Sequence, residues 1–197
     1  MAEKTDRRIR KTKAQLRAGL SKLMQTKSIK EITVKELSDE VDINRSTFYL
    51  HYTDIYNMLE EIETELLNEI ETVINTHPIG PNKNNFSFFI DMFYILSSNK
   101  DICSALLGPN GDMSFLHKIE KIISENSIKA LKSMGAIPSE DLNYVIAFCL
   151  TGCIGLIKTW LIQEKGETPE HMANVTYNII SSLVLNYSKE NRRITGK

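Results

Sequence analysis

The stretch that decides the fold is "TVKELSDEVDINRSTFYLHY", residues 33–52. Thr33 stands just before an apolar helical pattern, with Glu36 three residues later, which is typical of a capping box at a helix start. Residues 42–44 then break the pattern, and their polar side chains suit the start of a second short helix that ends near Leu50. Two short helices joined by a turn of three or four residues form a helix-turn-helix.

The second predicted helix carries side chains suited to two environments. In a helix-turn-helix, the second helix enters the DNA major groove with its N-terminal residues at the base edges. Arg45, Ser46 and Thr47 stand at that end. Arginine can bond guanine O6 and N7 together, whereas serine and threonine can bond bases or phosphates. Phe48 and Tyr52 share a helical face and are predicted to pack inward. The alternative is a helical hairpin that packs a core, with tyrosines exposed by chance.

Charge is divided unevenly along the chain. Residues 1–52 carry twelve Lys or Arg and seven Asp or Glu, a net charge of +5, whereas residues 53–197 carry a net charge of −6. A basic segment beside an acidic body indicates a polyanion-binding part. Six of the basic residues form an N-terminal arm and the first turn of the first predicted helix: Lys4, Arg7, Arg8, Arg10, Lys11 and Lys13. Such a cluster attracts the DNA backbone without reading sequence.

The rest of the chain is predicted to be helical, because apolar residues recur at helical spacing and strand-like alternation is absent. Ser139 is expected to cap the eighth helix, and Thr168 followed by proline is expected to begin the ninth. The clearest break is the Pro-Gly-Pro region at residues 77–81. The fold class is therefore all-α, with nine helices predicted over about residues 6–25, 34–40, 44–50, 54–76, 86–98, 101–107, 114–133, 139–164 and 168–187.

Several classes of function find no support in the sequence. No nucleophile–base pair, glycine-rich phosphate loop or H-E-x-x-H motif occurs, so we predict no enzyme, no catalytic site, no metal site and no cofactor. The polar N-terminus is unlike a signal peptide, and three cysteines fit reduced thiols, so a cytoplasmic location is expected. The apolar stretch from Tyr144 to Ile157 is predicted to be a buried helix, too short to span a membrane.

The segment "TVKELSDEVDINRSTFYLHYTDIYNML", residues 33–59, resembles the DNA-binding signature of the TetR (tetracycline-repressor-like) family of regulators. The similarity covers residues 6–60, and the nine-helix plan agrees with the family along the whole chain. It implies a DNA-binding domain over residues 1–53 and a ligand-binding and dimerisation domain over residues 54–197. By resemblance, the side chains that face DNA are Thr33, Arg45, Ser46, Thr47, Tyr49, Leu50 and His51; the basic first helix adds Arg8 and Lys11.

Two positions depart from the family pattern. The usual turn is A-G-V, whereas this chain has Val41-Asp42-Ile43, so Asp42 must adopt a backbone conformation often given to glycine. The fourth helix usually opens with a phosphate-binding lysine, and Ile55 stands there instead. Further along, "LLGPNGDMSFLHKI", residues 106–119, is similar to a branch that includes regulators of dihydroxyacetone kinase operons.

The resemblance also implies that the last two long helices pair with their copies in a four-helix bundle. The residues predicted for this dimer interface form two apolar stripes: Ile146, Cys149, Cys153, Leu156, Val175, Ile179 and Leu183. Gly152 and Gly155 would permit close approach of helices. The alternative is that these stripes form the core of a monomer.

A ligand pocket is implied in the same way, mixing apolar walls with a few polar groups. The predicted lining is Phe89, Met92, Phe93, Phe115, His117 and Trp160. Each of these could instead belong to a plain core, and His117 could face solvent.

These expectations combine into one functional hypothesis. The chain is expected to be a homodimeric repressor that binds a palindromic double-stranded DNA operator and is released by an unknown small-molecule inducer, with no membrane partner. The alternative is a transcriptional co-activator or adaptor that acts through a protein partner.

Overall fold

The computed structural model describes residues 2–78, 85–135, 137–163 and 166–195, and it describes side chains from residue 7 to residue 188 apart from the gaps and residue 134. These residues form nine α-helices and one short 3-10 turn, Ile29–Glu31, with no strand among them. The helices are α1 Ala2–Met24, α2 Val34–Glu40, α3 Arg45–Tyr49, α4 Ile55–Thr76, α5 Asn85–Ser98, α6 Lys100–Leu107, α7 Met113–Met134, α8 Leu142–Leu161 and α9 Pro169–Thr195. The all-α prediction is confirmed.

The predicted helix ends differ from the observed ends mainly around α8 and α9. Ser139 does not cap α8, because the chain first makes a turn in which the Asp141 N–H donates to the Pro138 carbonyl at 3.1 Å. The last helix continues to Thr195, beyond the predicted end near residue 187. The predicted break at residues 79–81, the predicted end of the eighth helix at residue 164 and the Lys4 side chain lie outside the described residues.

The chain divides into two compact units. The first contains Met1–Leu67 and Asn99–Leu116, and the second contains Asn68–Ser98 and His117–Lys197. The whole segment predicted to bind DNA, residues 1–53, therefore belongs to the first unit. The division between a DNA-binding domain and the rest at residue 53 stays a prediction.

The first unit is built on an apolar stripe along α1. Leu16, Leu20 and Met24 recur at steps of four, and all three are fully buried. α1 packs against both α2 and α6. A Cβ added at Gly19 would lie 2.3 Å from the Val41 Cγ1 atom, so the glycine permits a close approach to the end of α2. This packing fixes the position of the helix-turn-helix within the unit.

The second unit contains two apolar clusters. One comprises Ile70, Val73, Ile74 and Phe88, and the other comprises Ile137, Leu142 and Val145. α5 also packs against α9. α7 is followed by Gly135, whose φ of 58° is the left-handed conformation common after a helix end.

The apolar helix α8 differs from its prediction. It is 20 residues long, so among the described residues it is long and apolar enough to cross a membrane by length and composition. Most of its apolar stretch is not buried within the chain. The prediction of a buried helix is therefore corrected. The prediction that the apolar stretch is too short is corrected as well, because the single charge of Lys158 does not end the apolar part of the helix, which continues to Leu161.

Candidate nucleic-acid interface and ligand cavity

A side chain caps the N-terminus of each helix in the helix-turn-helix. The Thr33 hydroxyl accepts from the Glu36 N–H at 3.2 Å, and the Asn44 side chain accepts from the Ser46 N–H at 2.9 Å. The reciprocal half of the predicted capping box does not form, because the Glu36 carboxylate binds the Lys27 ammonium instead. Capping by one side chain is sufficient to satisfy an amide that would otherwise lack a partner at each helix start.

The turn between α2 and α3 depends on an unusual backbone conformation at Asp42. Its φ is 52°, in the left-handed region that glycine adopts most easily and that aspartate tolerates. The next residue continues the turn, with the Ile43 N–H donating to the Ser38 carbonyl at 3.0 Å. The structure thus shows how aspartate replaces the glycine of the family's usual turn.

α3 separates its aromatic residues between core and solvent. Phe48 is fully buried and Tyr52 is buried with it, their ring centroids 5.7 Å apart, as predicted from their spacing. By contrast, Tyr49 is 58% exposed and Leu50 is 80% exposed. The crowded sequence therefore gives one helix an apolar inner face and an accessible outer face.

Every side chain predicted to face DNA has some accessible surface. Most of them are exposed: Thr33, Arg45, Ser46, Tyr49, Leu50, Arg8 and Lys11. Thr47 and His51 are half-buried. This exposure is what contact with a duplex requires, although contact with DNA itself stays a prediction.

Ion pairs decide which basic side chains of the first unit remain available. Lys22 binds Glu40 and Lys27 binds Glu36, so two acids of α2 are neutralised within the unit. Arg17 binds Glu65 at 3.2 Å. Arg8, Lys11 and Arg45 form no ion pair within the described part of the chain. These three cations are therefore available to phosphates or base edges.

Lys13, part of the predicted basic cluster, has an internal role instead. Its ammonium lies 3.3 Å from the Glu61 carboxylate and 5.0 Å from the centroid of the Tyr52 ring. Burial lowers the pKa of Lys13, but the nearby Tyr52, Glu61 and Glu65 outweigh burial and leave its pKa above the ordinary value. Lys13 is thus charged and holds α1 to α4 and to the end of the helix-turn-helix.

The start of α4 has Ile55 at the position where the family usually has a phosphate-binding lysine. Ile55 is buried in the core, so it cannot reach a phosphate. The Asp54 carboxylate caps the helix by accepting from the Asn57 N–H at 2.8 Å. Tyr56, which follows Ile55, is exposed and was not among the predicted site residues. The sequence feature that could have identified this exposed position is a tyrosine next to an apolar residue at the start of a helix.

A cavity of about 310 Å³ lies within the second unit. Helices α5, α7, α8 and α9 supply its lining residues, which are Asn85, Phe88, Phe89, Met92, Phe93, Leu96, Ile123, Ser127, Leu131, Ile146, Cys149, Leu150, Cys153, Ile157, Thr176, Tyr177, Ile180, Ser181, Val184 and Leu185. Three predicted pocket residues, Phe89, Met92 and Phe93, are among them. The cavity is the main candidate for binding a small molecule among the described residues.

The other three predicted pocket residues lie elsewhere. Phe115 is buried but belongs to the first unit, and His117 is exposed to solvent. Trp160 is buried behind the cavity wall, with its ring 5.3 Å from that of Phe93 and its indole N–H donating to the Glu167 carbonyl at 2.7 Å. Sequence could not separate these positions because an apolar residue suits a core and a pocket wall equally.

The predicted dimer stripe on α8 points toward the unit's own interior. Ile146, Cys149 and Cys153 line the cavity, and burial raises the pKa of both thiols, that of Cys153 to about 11. These side chains are therefore less accessible than the opposite side of α8, and their part in a dimer interface stays a prediction.

The outer stripe of α8 is accessible. Tyr144 is 78% exposed and Phe148 is 68% exposed. A Cβ added at Gly152 or Gly155 would meet nothing within 4 Å, so this side of the helix is open. On α9 the predicted interface residue Ile179 is also exposed, whereas Val175 is half-buried. Leu156 and Leu183 are half-buried, and Leu183 packs on the second apolar cluster.

Comparison with known proteins agrees with this architecture. A family profile described as a transcriptional regulator C-terminal region of the TetR type matches residues 83–182. No curated protein matches the chain in sequence.

Three solved structures share the fold. A TetR transcriptional regulator from Streptococcus agalactiae 2603V is 23% identical, with a TM-score of 0.57 over 91% of this chain and 99% of that chain. The fatty acid degradation regulator FadR from Bacillus halodurans is 8% identical, with a TM-score of 0.64 over 85% and 93%. The dihydroxyacetone kinase operon activator DhaS is 14% identical, with a TM-score of 0.51 over 88% and 96%.

The family comprises transcriptional regulators and not enzymes, and its profile covers half of the chain. Together with the all-helical fold and the capped helix-turn-helix, this match shows that the chain belongs to the TetR family of transcriptional regulators.

Proposed function

We propose that the chain binds a DNA operator as a homodimer and regulates transcription in response to a small molecule. One observation supports DNA binding: Phe48 packs α3 into the core of the first unit, and Arg45 and Tyr49 are exposed to solvent. In this motif the outward residues at the helix N-terminus reach base edges. Arg8 and Lys11, which have no internal ion pair among the described residues, would bind phosphates and position the helix.

The exposed stripe of α8 supports the dimer. Tyr144 and Phe148 are large exposed apolar residues, and the open glycines would let a second helix approach closely. Exposed apolar surface of this kind marks interaction sites in soluble proteins. Two copies related by a two-fold axis would present two α3 helices to half-sites about one DNA turn apart, which explains why we expect a palindromic operator.

The cavity supports the response to a small molecule, and a repressor released by its inducer is the simplest scheme. DhaS, which shares the fold, is an operon activator, and this favours a second scheme in which the chain activates transcription. In that scheme the chain acts as a co-activator or adaptor through a protein partner. A cytoplasmic location follows from either scheme, since both require access to DNA.

A binding experiment with matched charge variants tests the DNA-binding part. Arg45→Ala should weaken binding to the DNA upstream of the chain's own gene by about 1–3 kcal/mol, with less effect on random DNA. Lys11→Ala should weaken binding to both DNAs alike, because a phosphate contact carries no sequence information. Lys121→Ala, which removes an exposed charge from the second unit, serves as the control.

Electrophoretic mobility shift at fixed salt with competitor DNA measures all three variants. Equal losses on specific and random DNA for Arg45→Ala would contradict its role at base edges. Absence of any sequence-specific binding by the unmodified protein would defeat the proposed function. Pull-down with and without nuclease then separates the schemes, since a protein partner retained after nuclease favours the adaptor.

A further inference from the structure

The chemistry of the cavity lining restricts the kind of molecule that it can hold. No Asp, Glu, Lys, Arg or His is among the described residues that line it. The walls are mainly aliphatic side chains and four aromatic rings, those of Phe88, Phe89, Phe93 and Tyr177, with uncharged polar groups at Asn85, Ser127, Thr176 and Ser181. Moving a charged group into such surroundings without a partner costs several kcal/mol, on the order of the penalties known for buried unpaired ions. The lining therefore disfavours both carboxylates and ammonium groups.

Thr176 defines one hydrogen-bonding position in the cavity wall. This residue is buried, and its hydroxyl donates to the Met172 carbonyl at 2.8 Å. A threonine hydroxyl has one proton, so Thr176 can offer further partners nothing but the lone pairs of its oxygen. A ligand hydroxyl or N–H can donate to that oxygen, whereas a carboxylate has no proton to donate. Thr176 therefore favours a ligand with a donor group, and the hydroxyls of Ser127 and Ser181, which can donate or accept, also suit a ligand hydroxyl.

The two cysteines in the wall add to the apolar character of the site. Burial raises the pKa of Cys149, and it raises the pKa of Cys153 to about 11. Both thiols are therefore protonated and neutral near neutral pH, and they act as small polarisable apolar groups.

The size of the cavity limits the length of the ligand. Its volume is about 310 Å³. A cavity of about 150 Å³ lined by apolar side chains holds one benzene molecule. By this comparison, a ligand on the order of a dozen non-hydrogen atoms would fill the space.

A neighbouring hollow of about 280 Å³ has basic side chains in its lining, and an anionic group of a ligand would have to reach this hollow to find them. It shares Phe88 and Ile123 with the cavity and adds His77, Asn126 and Lys129. His77 already lies 2.9 Å from the Asp91 carboxylate, and Lys129 is exposed to solvent. The charged groups of this region are therefore engaged or hydrated.

We propose that the cavity binds a neutral, mostly apolar molecule of about a dozen non-hydrogen atoms that carries one hydroxyl-type donor, of which a medium-chain alcohol is the simplest example. This assignment rests on the proposed function for its biological meaning, because that function makes the ligand an effector. Binding itself can be measured on the protein alone, without DNA.

Isothermal titration with three probes of equal chain length tests the ligand class. We expect 1-decanol to bind at least about tenfold more tightly than decanoate or decylammonium, because neither ion finds an oppositely charged partner among the described lining residues. Equal or tighter binding of decanoate overturns the proposal. Loss of that binding in Lys129→Ala would then show an acid whose carboxylate reaches the neighbouring hollow.

Substitutions locate the bound alcohol. Thr176→Val keeps the side-chain shape and should weaken 1-decanol binding by about three- to tenfold, the effect of one lost hydrogen bond, while binding of decane stays the same. Cys153→Phe should abolish binding by filling the cavity, with folding checked by circular dichroism, and Ser181→Phe is a second filled variant from another helix. Binding of 1-decanol that both folded, filled variants retain also overturns the proposal.

The two proposals fail in different experiments. If 1-decanol binds as expected but leaves operator binding unchanged, the ligand class stands and the ligand-responsive function fails. If operator DNA binds specifically but 1-decanol does not bind, the regulator stands and the ligand class fails.

Discussion

α3 and α8 both carry aromatic residues, but the two helices use them in opposite ways. In α3 the buried ring is Phe48, and polar residues occupy the remaining faces. In α8 apolar residues extend around most of the helix, so Ile146 is buried while Phe148, two positions later, is 68% exposed. The buried face of an amphipathic helix such as α3 can be predicted from its sequence, whereas that of a uniformly apolar helix such as α8 cannot. For this reason the spacing of apolar residues does not distinguish the stripe of α8 that lines the cavity from the exposed stripe.

The largest expected effect comes from truncating the same residue type in each helix. Phe48→Ala should lower the free energy of unfolding by about 3–5 kcal/mol, because it leaves a cavity in the core of the first unit. Phe148→Ala should change the free energy of unfolding of the isolated chain by less than about 0.5 kcal/mol, since this ring is exposed. It should instead weaken self-association by about 2 kcal/mol, as expected for a central interface residue.

Urea denaturation followed by circular dichroism measures the first effect, and sedimentation velocity over a concentration series measures the second. Equal destabilisation of a dilute monomer by Phe148→Ala and Phe48→Ala would contradict the exposed position of Phe148. Unchanged self-association of Phe148→Ala would contradict its place in the dimer interface.

A smaller effect tests whether the cysteine side of α8 faces inward. A thiol with an ordinary pKa of 9.0 is partly ionised at pH 8, whereas Cys153, with a pKa of about 11, is almost fully protonated. The thiolate is the reactive form, so alkylation of Cys153 by iodoacetamide at pH 8 should be roughly a hundredfold slower than in the unfolded chain. Mass spectrometry of peptides, with a urea-unfolded control, gives the rate at each cysteine. A native rate equal to the unfolded rate would place Cys153 at the surface.

The smallest effect concerns the turn that aims α3. Asp42→Gly should raise the free energy of unfolding by up to about 1 kcal/mol, because glycine adopts a φ of 52° without steric cost. Asp42→Ala should lower it by about 1 kcal/mol, since alanine is strained in this conformation. Thermal denaturation of both variants measures the difference. A stabilising Asp42→Ala would show that the turn has another conformation in solution.

The first unit was predictable in detail because its local signals are strong. Capping by Thr33 and Asn44, the inward spacing of Phe48 and Tyr52, and the left-handed Asp42 all follow from short-range chemistry. The role of Lys13 could not be predicted, because its partner Glu61 lies 48 residues away along the chain. The reciprocal half of the Thr33 capping box failed for a similar reason, since Lys27 competes for Glu36.

For the second unit, the helices could be predicted from the sequence, but most of the residues that line the cavity could not. The spacing of apolar residues located α5, α7, α8 and α9, and Phe89, Met92 and Phe93 were correctly placed together by their position on one helix. Nothing in the sequence distinguished them from Phe115, which packs in the other unit. Thr176 and Ser181 of the cavity wall were missed, because a single hydroxyl on a long helix gives no signal of its own.

The all-helical class, the start and end of most helices and the outer face of α3 follow from the amino-acid sequence, because they depend on contacts within a few residues. Tertiary structure alone decided which side of α8 encloses a cavity, which lysines remain available and where Trp160 points. Those outcomes depend on side chains brought together from distant positions, and an apolar or charged residue carries no local mark of the partner that it will meet.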